Sequence, residues 1–180
     1  MALDLHAGRL LVATPELADP NFSHAVVLLL EHNDDGAFGV VLNRPSDVEV
    51  AAALPGWERL TAPPDVVFVG GPVQQDGVVG LGAVGDGDAL EKPVLPSVGV
   101  VDLDQDPLVA GAELEQVRLF AGYAGWSSGQ LESEVADGGW FVIDATPADV
   151  FSDDPEDLWL AVLHRQGGIF TTIPEDPSLN

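Results

Sequence analysis

The chain has 180 residues, and its 30 aspartates and glutamates outnumber its 6 lysines and arginines so far that the net charge is −24. Hydrophobic residues make up 46% of it and cysteine is absent, which excludes a largely disordered chain, disulfides, thiolate nucleophiles and cysteine-ligated metal centres. No apolar run reaches the roughly 20 residues that cross a bilayer, and the N-terminus lacks the pattern of a signal peptide, so we expect a cytoplasmic protein without a membrane partner.

Apolar runs and turn residues predict the secondary structure in chain order. Strands are predicted over residues 9–14, 25–31, 37–43, 66–69, 78–84, 94–101, 117–124, 140–143 and 168–173. Helices are predicted over residues 47–54, capped by Ser46 or Asp47; over residues 128–137; and from Asp154–Pro155, with Asp154 as N-cap, to Gly167. Strands dominate the first half and alternate with helices in the second, so residues 1–180 are expected to form a single α+β or mixed α/β domain.

The best-defined local element is a β-hairpin. Residues 25–31 and 37–43 are its two apolar strands, and residues 32–36 form a turn of polar residues and glycine. Because residues 27–30 are all apolar, we expect the first strand to be covered on both faces.

Two sequence patterns match known binding loops but lack residues that binding requires. Residues 80–85 match the dinucleotide pattern G-x-G-x-x-G, yet acidic residues and a proline follow where a helix N-terminus must hold the pyrophosphate. Residues 102–113 match several positions of a calcium-binding EF-hand, but Pro107 stands where the sharp turn needs glycine. We therefore expect neither a nucleotide site nor a true EF-hand, and the sequence predicts no cofactor.

A third pattern is compatible with hydrolase activity. Residues 125–129 match the nucleophile elbow G-x-S-x-G, with Ser127 as nucleophile and Asp144 or Asp149 and His164 as its partners. We favour the alternative, in which Ser127 caps the helix that follows it, because nothing in the sequence orients His164.

A polar cluster occupies the end of the hairpin, from Glu31 through His32 and Asn33 to Asp35. These side chains suit a metal ion or a polar ligand, and Glu31 and His32 form a second candidate pair for hydrolase chemistry. The alternative is that the Asn and Asp side chains only satisfy backbone groups of the turn.

Several motifs, in a fixed order, resemble the AlgH/YqgE family. They are Leu10–Pro15, Asp19–Phe22, Val26–Leu29, Glu31–Ala37, Gly39–Pro45, Val69–Val73, Phe120–Trp126, Gly129–Glu134, Gly138–Trp140 and Leu158–Trp159. The resemblance runs from about residue 8 to residue 173 and so covers nearly the whole chain.

The resemblance implies an α+β fold in which a bifurcated, partly barrel-like β-sheet is surrounded by helices. It implies little about activity, because the family is largely uncharacterised, has no established catalytic residues and is often labelled a transcriptional regulator through a link to the control of alginate synthesis. We therefore expect an indirect regulator that acts through an unknown protein partner or a small ligand, and we do not expect an enzyme. Direct DNA binding is a further alternative, but a net charge of −24 repels phosphate.

The predicted ligand or partner site gathers motif residues that fall in polar or glycine-rich segments. They are Asn21, Glu31, His32, Asn33, Asn43, Arg44, Gly70, Gly71, Pro72, Tyr123, Trp126, Gln130, Glu132 and Glu134. Glycines in such segments let a ligand approach backbone N–H groups. The alternative is that glycine, proline and asparagine make tight turns while the aromatic side chains fill the core.

Overall fold

The computed structural model describes residues 5–15, 17, 20, 22–84 and 92–166 of the chain. Within them the strands are β1 (Arg9–Ala13), β2 (Val26–Asn33), β3 (Gly36–Val41), β4 (Pro45–Glu49), β5 (Val66–Val69), β6 (Val73–Val84), β7 (Lys92–Leu95), β8 (Val98–Val101), β9 (Leu114–Ser127) and β10 (Trp140–Asp144). The α-helices are α1 (Val50–Ala53), α2 (Pro107–Ala110), α3 (Gln130–Ala136), α4 (Pro147–Val150) and α5 (Leu158–Gln166), with 3-10 turns at Trp57–Arg59 and Pro155–Asp157.

The strands form one curled sheet that branches at its longest strand, β9. The main order is β10-β1-β2-β3-β9-β6-β8-β7, and β5 pairs in parallel with β9 at Phe68 and Phe120 and carries β4 on its other side. Gly70 marks the branch point, because its carbonyl accepts from the N–H of Val41 and its own N–H donates to the carbonyl of Ala121, each at 2.8 Å. This half-barrel with a few helices confirms the predicted α+β fold with a bifurcated, partly barrel-like sheet.

The strand β2 is covered on both faces, as predicted. Leu28 and Leu30 belong to one buried cluster, whereas Val27 and Leu29 belong to another. The assignment alternates because successive side chains of a strand point to opposite faces. None of the four is more than 1% exposed.

The hairpin turn is shorter than predicted. Strand β2 continues to Asn33, and only Asp34–Asp35 remain in the turn, where the side-chain oxygen of Asn33 accepts from the backbone N–H of Asp35 at 2.8 Å. Such a bond is how asparagine stabilises a tight turn. Glu31 and His32 consequently lie in the paired strand and point to opposite faces.

The predicted helix over residues 47–54 is wrong in its first half. This segment begins in β4, and only the one-turn helix α1 follows, with Glu49 rather than Ser46 or Asp47 as its N-cap. The hydroxyl of Ser46 donates to the carbonyl of Val67 across the β4–β5 pair. The pairing with β5 keeps this segment extended, a partner that local sequence patterns do not show.

Residues 94–101 form a hairpin rather than the single predicted strand. Strands β7 and β8 are separated by a turn at Pro96 and Ser97, and Ser97 has a positive φ of 66°. Proline cannot continue the hydrogen-bonded ladder, and a left-handed residue reverses the chain direction.

The helix predicted from Asp154–Pro155 begins as a 3-10 turn and continues as α5. Asp154 occupies the predicted N-cap position and Pro155 follows it as the first residue of the turn, although the side chain of Asp154 makes no capping hydrogen bond. The helix α5 buries an apolar stripe that consists of Leu158, Trp159, Val162 and Leu163. The predicted helix end at Gly167 and the predicted strand 168–173 lie outside the described residues.

No helix of the described chain is long and apolar enough to cross a bilayer.

The glycine pattern that resembles a dinucleotide loop lies largely within β6. A Cβ atom would come 2.7 Å from the side chain of Leu103 at Gly80 and 2.6 Å from that of Val101 at Gly82. These glycines make room for neighbouring side chains. Gly85 lies outside the described residues.

The segment that resembles an EF-hand has ordinary turn and capping contacts. The side-chain oxygen of Asp102 accepts from the N–H of Asp104, and that of Asp106 accepts from the N–H of Leu108, each at 2.9 Å. Pro107 is the first residue of α2, a position that suits proline.

Candidate functional site

A cleft opens beside the end of the β2–β3 hairpin, where β9 runs along β3. Its volume is about 320 Å³, and its lining residues are Glu31, Asn33, Asp35, Gly36, Ala37, Phe38, Tyr123, Gly125 and Trp126. None of the described residues that line it carries a basic side chain. We call it the acidic cleft, because Glu31 and Asp35 supply its charge.

Strand pairing brings the lining residues together. Glu31 lies opposite Phe38, and Phe38 lies opposite Gly125, so three neighbouring strands each contribute one residue to a row. The rings of Phe38 and Tyr123 meet edge to face, with centroids 5.9 Å apart, and form an apolar wall. A Cβ atom at Gly125 would lie 3.5 Å from the Tyr123 ring, so its absence widens the opening beside that ring.

Next to the cleft, one carboxylate holds two indoles. The Oε1 atom of Glu134 accepts from Nε1 of Trp126 and of Trp140, each at 3.0 Å, while its Oε2 atom accepts from the Gln130 amide at 2.9 Å. Phe22 packs against both indoles, with centroids 6.1 Å and 5.5 Å away. Gln130 and Glu134 therefore position Trp126.

We expect Glu134→Ala to lower the free energy of unfolding by about 1–3 kcal/mol, because two buried indole N–H groups lose their acceptor. Trp126 and Trp140 are only 5% and 3% exposed, so water cannot readily replace the carboxylate. Urea unfolding followed by circular dichroism measures the loss. Glu134→Gln keeps one acceptor oxygen and should lose less. An alanine variant as stable as the original protein would contradict this role.

His32 and Glu132 connect the hairpin to α3. The Nε2 atom of His32 lies 3.4 Å from Oε1 of Glu132, an ion-pair distance when the imidazole is protonated. His32 pairs with Ala37 and Glu31 pairs with Phe38, so the side chains of His32 and Glu31 lie on opposite faces of the β2–β3 hairpin. The structure thus separates Glu31 from His32, and no group of three or more histidine, aspartate or glutamate side chains in the described chain is arranged to hold a metal ion.

Basic side chains serve mainly to hold the fold together. Four arginines make internal contacts: Arg9 with Asp144, Arg44 with the Ser23 carbonyl, Arg118 with four backbone carbonyls, and Arg165 with Asp149. Among the arginines, this leaves Arg59, which is exposed on its 3-10 turn. Carboxylates consequently dominate the charge of the described surface.

Comparison with known proteins identifies one family along nearly the whole chain. The model of the family described as DUF179, AlgH-like, matches residues 10–171. The chain belongs to the AlgH-like family. A UPF0301 protein of Streptomyces avermitilis is 48% identical over 182 residues, which cover 96% of this chain and 94% of that protein. A UPF0301 protein of Mycobacterium tuberculosis is 43% identical over 184 residues, which cover 98% of this chain and 91% of that protein.

Two solved structures share the fold of this AlgH-like chain. The crystal structure of a Corynebacterium diphtheriae protein has a TM-score of 0.86 at 33% identity and covers 99% of this chain and 93% of its own. The solution structure of the AlgH protein from Pseudomonas aeruginosa has a TM-score of 0.71 at 34% identity and covers 93% of each chain. The AlgH structure confirms the family resemblance drawn from the sequence motifs, and the Corynebacterium diphtheriae structure confirms the fold.

Two of the predicted site residues lie at the other end of the hairpin in this AlgH-like structure. The side chain of Asn43 accepts from the N–H of Val26 at 3.0 Å and donates to the carbonyl of His24 at 2.8 Å, and Arg44 follows it. Glu31 lies five residues after Val26 in β2, a distance of roughly 17 Å along an extended strand. Asn43 and Arg44 therefore fasten the base of the hairpin and do not share a site with the cleft.

Gly70 and Gly71, two of the predicted site residues, let the backbone of their segment pass close to the backbone of β9. A Cβ atom at Gly71 would overlap the backbone of Tyr123, and one at Gly70 would overlap the carbonyl of Gly122. Pro72, which follows them, is exposed. These residues let the β5–β6 connection pass against β9, and none of the three lines the acidic cleft.

Ser127 does not cap α3, so its predicted capping role is wrong. Strand β9 continues to Ser127, and the N-cap is Gly129, whose φ of 76° is left-handed. The N–H and the hydroxyl of Ser127 contact Oε1 of Gln130 at 3.0 Å and 3.2 Å. An amide oxygen is not a general base, so this contact does not activate the hydroxyl as a nucleophile.

We expect no stoichiometric labelling of the protein by a fluorophosphonate, because the Ser127 hydroxyl contacts an amide rather than an imidazole. Mass spectrometry of the intact protein measures the adduct. Ser128→Ala is the matched control, since Ser128 is adjacent and donates to the carbonyl of Asp34 instead. Labelling that disappears in Ser127→Ala and persists in Ser128→Ala would establish the hydrolase alternative.

The cleft unites part of the predicted site. It contains Glu31, Asn33, Tyr123 and Trp126, while Gln130 and Glu134 support Trp126, Glu132 faces His32, and Asn21 lies outside the described residues. Phe38 and Gly125 line it but are not among the predicted site residues, and Asp35 was predicted only as part of the polar cluster at the end of the hairpin. Counting strand register outward from the turn would have placed Phe38 opposite Glu31, whereas the position of Gly125 depends on the pairing of β3 with β9.

Proposed function

We propose that this AlgH-like protein is a non-catalytic regulator that acts through a protein partner, and that its acidic cleft binds a basic side chain of that partner. The observation that carries the proposal is the combination of Glu31 and Asp35 with an aromatic wall of Phe38 and Tyr123. Carboxylates attract a cation, and aromatic rings beside them add a favourable contact with its face.

The geometry favours arginine over lysine as the bound side chain. A guanidinium is planar, stacks on aromatic rings and donates in a fork to carboxylate oxygens, whereas an ammonium is a compact, strongly hydrated charge. The side-chain oxygen of Asn33 in the same cleft already accepts from the N–H of Asp35, and its second lone pair can accept from a guanidinium N–H. Because the cleft is open to water, one side chain supports only weak binding, and the rest of the partner's surface must supply the remaining affinity.

The charge of the whole molecule supports a basic partner and opposes DNA. The net charge is −24, and four of the arginines already bind other groups of the chain. Such a field raises the rate of encounter with a basic protein and repels a phosphate backbone, over a range of roughly 8 Å at physiological salt.

A pair of blocked tripeptides tests the cleft. Gly-Arg-Gly should shift the amide resonances of Asn33, Gly36 and Gly125 in the ¹⁵N-labelled protein, and Gly-citrulline-Gly, which has nearly the same shape but no charge, should not. We expect the affinity to fall as salt rises, because the attraction is partly screened. Equal effects of the two peptides, or shifts spread over the whole acidic surface, would contradict the proposed site.

Two matched carboxylate variants locate the binding. Glu31→Gln should weaken binding of the arginine peptide by about 2–5-fold, the effect of losing one exposed ion pair worth about 0.5–1 kcal/mol. Glu115→Gln removes an exposed carboxylate near the other end of β9 and should leave the affinity unchanged. Equal weakening in both variants would indicate nonspecific attraction by net charge.

A further inference from the structure

An apolar groove adjoins the acidic cleft. It consists of two hollows of about 360 Å³ and 340 Å³ that share Val78. The first hollow also shares Phe38 and Tyr123 with the acidic cleft, and the second is bordered by Val48 and Phe68. We call the two hollows together the apolar groove. The acidic cleft and the groove therefore form three adjacent depressions, separated by the aromatic wall and by Val78.

A local irregularity of β6 creates the groove. Val73 pairs with Tyr123 and Val78 pairs with Ala121, so five steps along β6 match only two along β9. The residues between Val73 and Val78 must bulge away from β9, and Gln74 among them has a positive φ of 49°. The bulge holds β6 off its neighbour and leaves the space that forms the first hollow.

Two large apolar side chains border the groove in unusually exposed positions. Val48 is 50% exposed and Val78 is 39% exposed. Single exposed apolar residues are common, but a contiguous exposed apolar surface rimmed by polar residues is typical of an interaction site, and Val48 and Val78 line one hollow. Hollows of this volume are at the lower end of the range of about 300–1,000 Å³ found for ligand pockets, so each suits one or two apolar side chains.

Charge decides what kind of molecule fits this groove. Exposed carboxylates flank the apolar residues: Asp47 and Glu49 on either side of Val48, and Asp76 close to Val78. A second copy of this chain would bring the same carboxylates together, and an anionic lipid surface would also be repelled. The complementary partner is a protein segment that carries both apolar and basic side chains.

We propose that the acidic cleft and the apolar groove together bind one extended segment of a partner protein, in which a basic residue and two apolar residues occupy alternate positions. The inference rests on the proposed function, because the basic residue is the one that the acidic cleft receives. Alternate side chains of an extended segment point to the same side. From Gly125 to Ala121 the strand β9 passes all three depressions over about 13 Å, which is the length of about five extended residues.

Designed peptides test this directly by calorimetry. The probes are the blocked peptides Arg-Ser-Leu-Ser-Leu and Leu-Ser-Leu-Ser-Arg, which cover both chain directions, and each is compared with a version in which serine replaces both leucines. We expect the better leucine peptide to bind about tenfold or more tightly than its serine version, because two apolar side chains leave water. Citrulline in place of arginine should weaken the binding of the leucine peptide.

Variants of the protein test whether the tighter binding of the leucine peptide comes from the groove. Val78→Asn should abolish the advantage of the leucine peptide while binding of its serine version persists, and Val48→Asn provides a second, independent substitution. Val109→Asn is the matched control, since Val109 is 65% exposed on α2, outside the groove, and should leave the advantage intact. Circular dichroism and thermal melting check that each variant is folded.

The outcomes separate the two proposals. If the arginine peptides bind but the leucines add nothing, the groove proposal is wrong and the proposed function stands. If no arginine-containing peptide binds, both are overturned. If the protein forms a dimer in sedimentation experiments and Val78→Asn dissociates it, the occupant of the groove is a second copy, and the partner-segment proposal is also overturned.

Discussion

Replacing Arg118 with methionine should lower the free energy of unfolding by about 3–5 kcal/mol, because several buried backbone carbonyls lose a charged donor and each unsatisfied polar group costs about 1–3 kcal/mol. Arg118 is 1% exposed, and its guanidinium donates to four backbone carbonyls. They belong to Ala62, Pro63, Val150 and Ser152, at distances of 2.7 to 3.3 Å. Methionine fills a similar volume but leaves these carbonyls without a donor. The segments at residues 62–63 and 150–152 then lose their connection to β9.

Chemical unfolding in urea measures this loss, and Arg118→Lys is the control. Burial lowers the pKa of Arg118 to about 10, while Asp153 and Asp65 act in the opposite direction, so the side chain remains charged at neutral pH. Lysine keeps the charge but cannot reach four carbonyls with a planar fork, and it also loses the stacking of the guanidinium 4.5 Å above the ring of Phe68. We expect its stability to lie between those of methionine and arginine. A methionine variant with an unchanged urea midpoint would contradict the connecting role.

Leu29→Ala should lower the free energy of unfolding by about 2–5 kcal/mol, through lost burial and the cavity that remains. Leu29 is fully buried in β2 and belongs to the cluster that contains Trp126 and Leu131. The same urea experiment measures the loss. Leu108→Ala is the matched control, because Leu108 is 71% exposed and its truncation should change stability little. Similar unfolding midpoints for the two alanine variants would mean that β2 is not covered as the structure shows.

Local patterns were a reliable guide wherever neighbours in sequence determine the structure. The apolar run over residues 27–30 and the polar turn after it predicted the hairpin, because alternation along a strand and turn chemistry both act over a few residues. The motifs along the chain also identified the family, which the match over residues 10–171 confirms.

Local patterns failed where a distant partner intervenes. Ser46 resembles a helix cap, but the pairing of β4 with β5 keeps its segment extended. Ser127 resembles another cap, but pairing with β3 extends β9 through it and moves the helix start to Gly129. In both cases the hydrogen bonds of the sheet outweigh the preference of one side chain for a helix terminus.

The candidate site shows the same division. Glu31 and Trp126 are recognisable from their motifs, yet the motifs also pointed to Asn43 and Arg44, which lie at the other end of the hairpin. A motif marks residues that the family shares without separating those that hold the fold from those that face a ligand. Glu134 illustrates the point, because its carboxylate accepts hydrogen bonds from two indoles and so helps to hold the fold.

The sequence by itself determined the strong negative charge, the hairpin, the doubly covered strand β2 and the family, because these follow from composition, from spacing over a few residues and from motif order. Only the tertiary structure decided that four of the arginines bind other groups of the chain and that Glu31, Phe38 and Gly125 form one row. The physical reason is that the cleft is created by the register between β3 and β9, which are far apart in the chain. That register is set by the packing of the whole sheet.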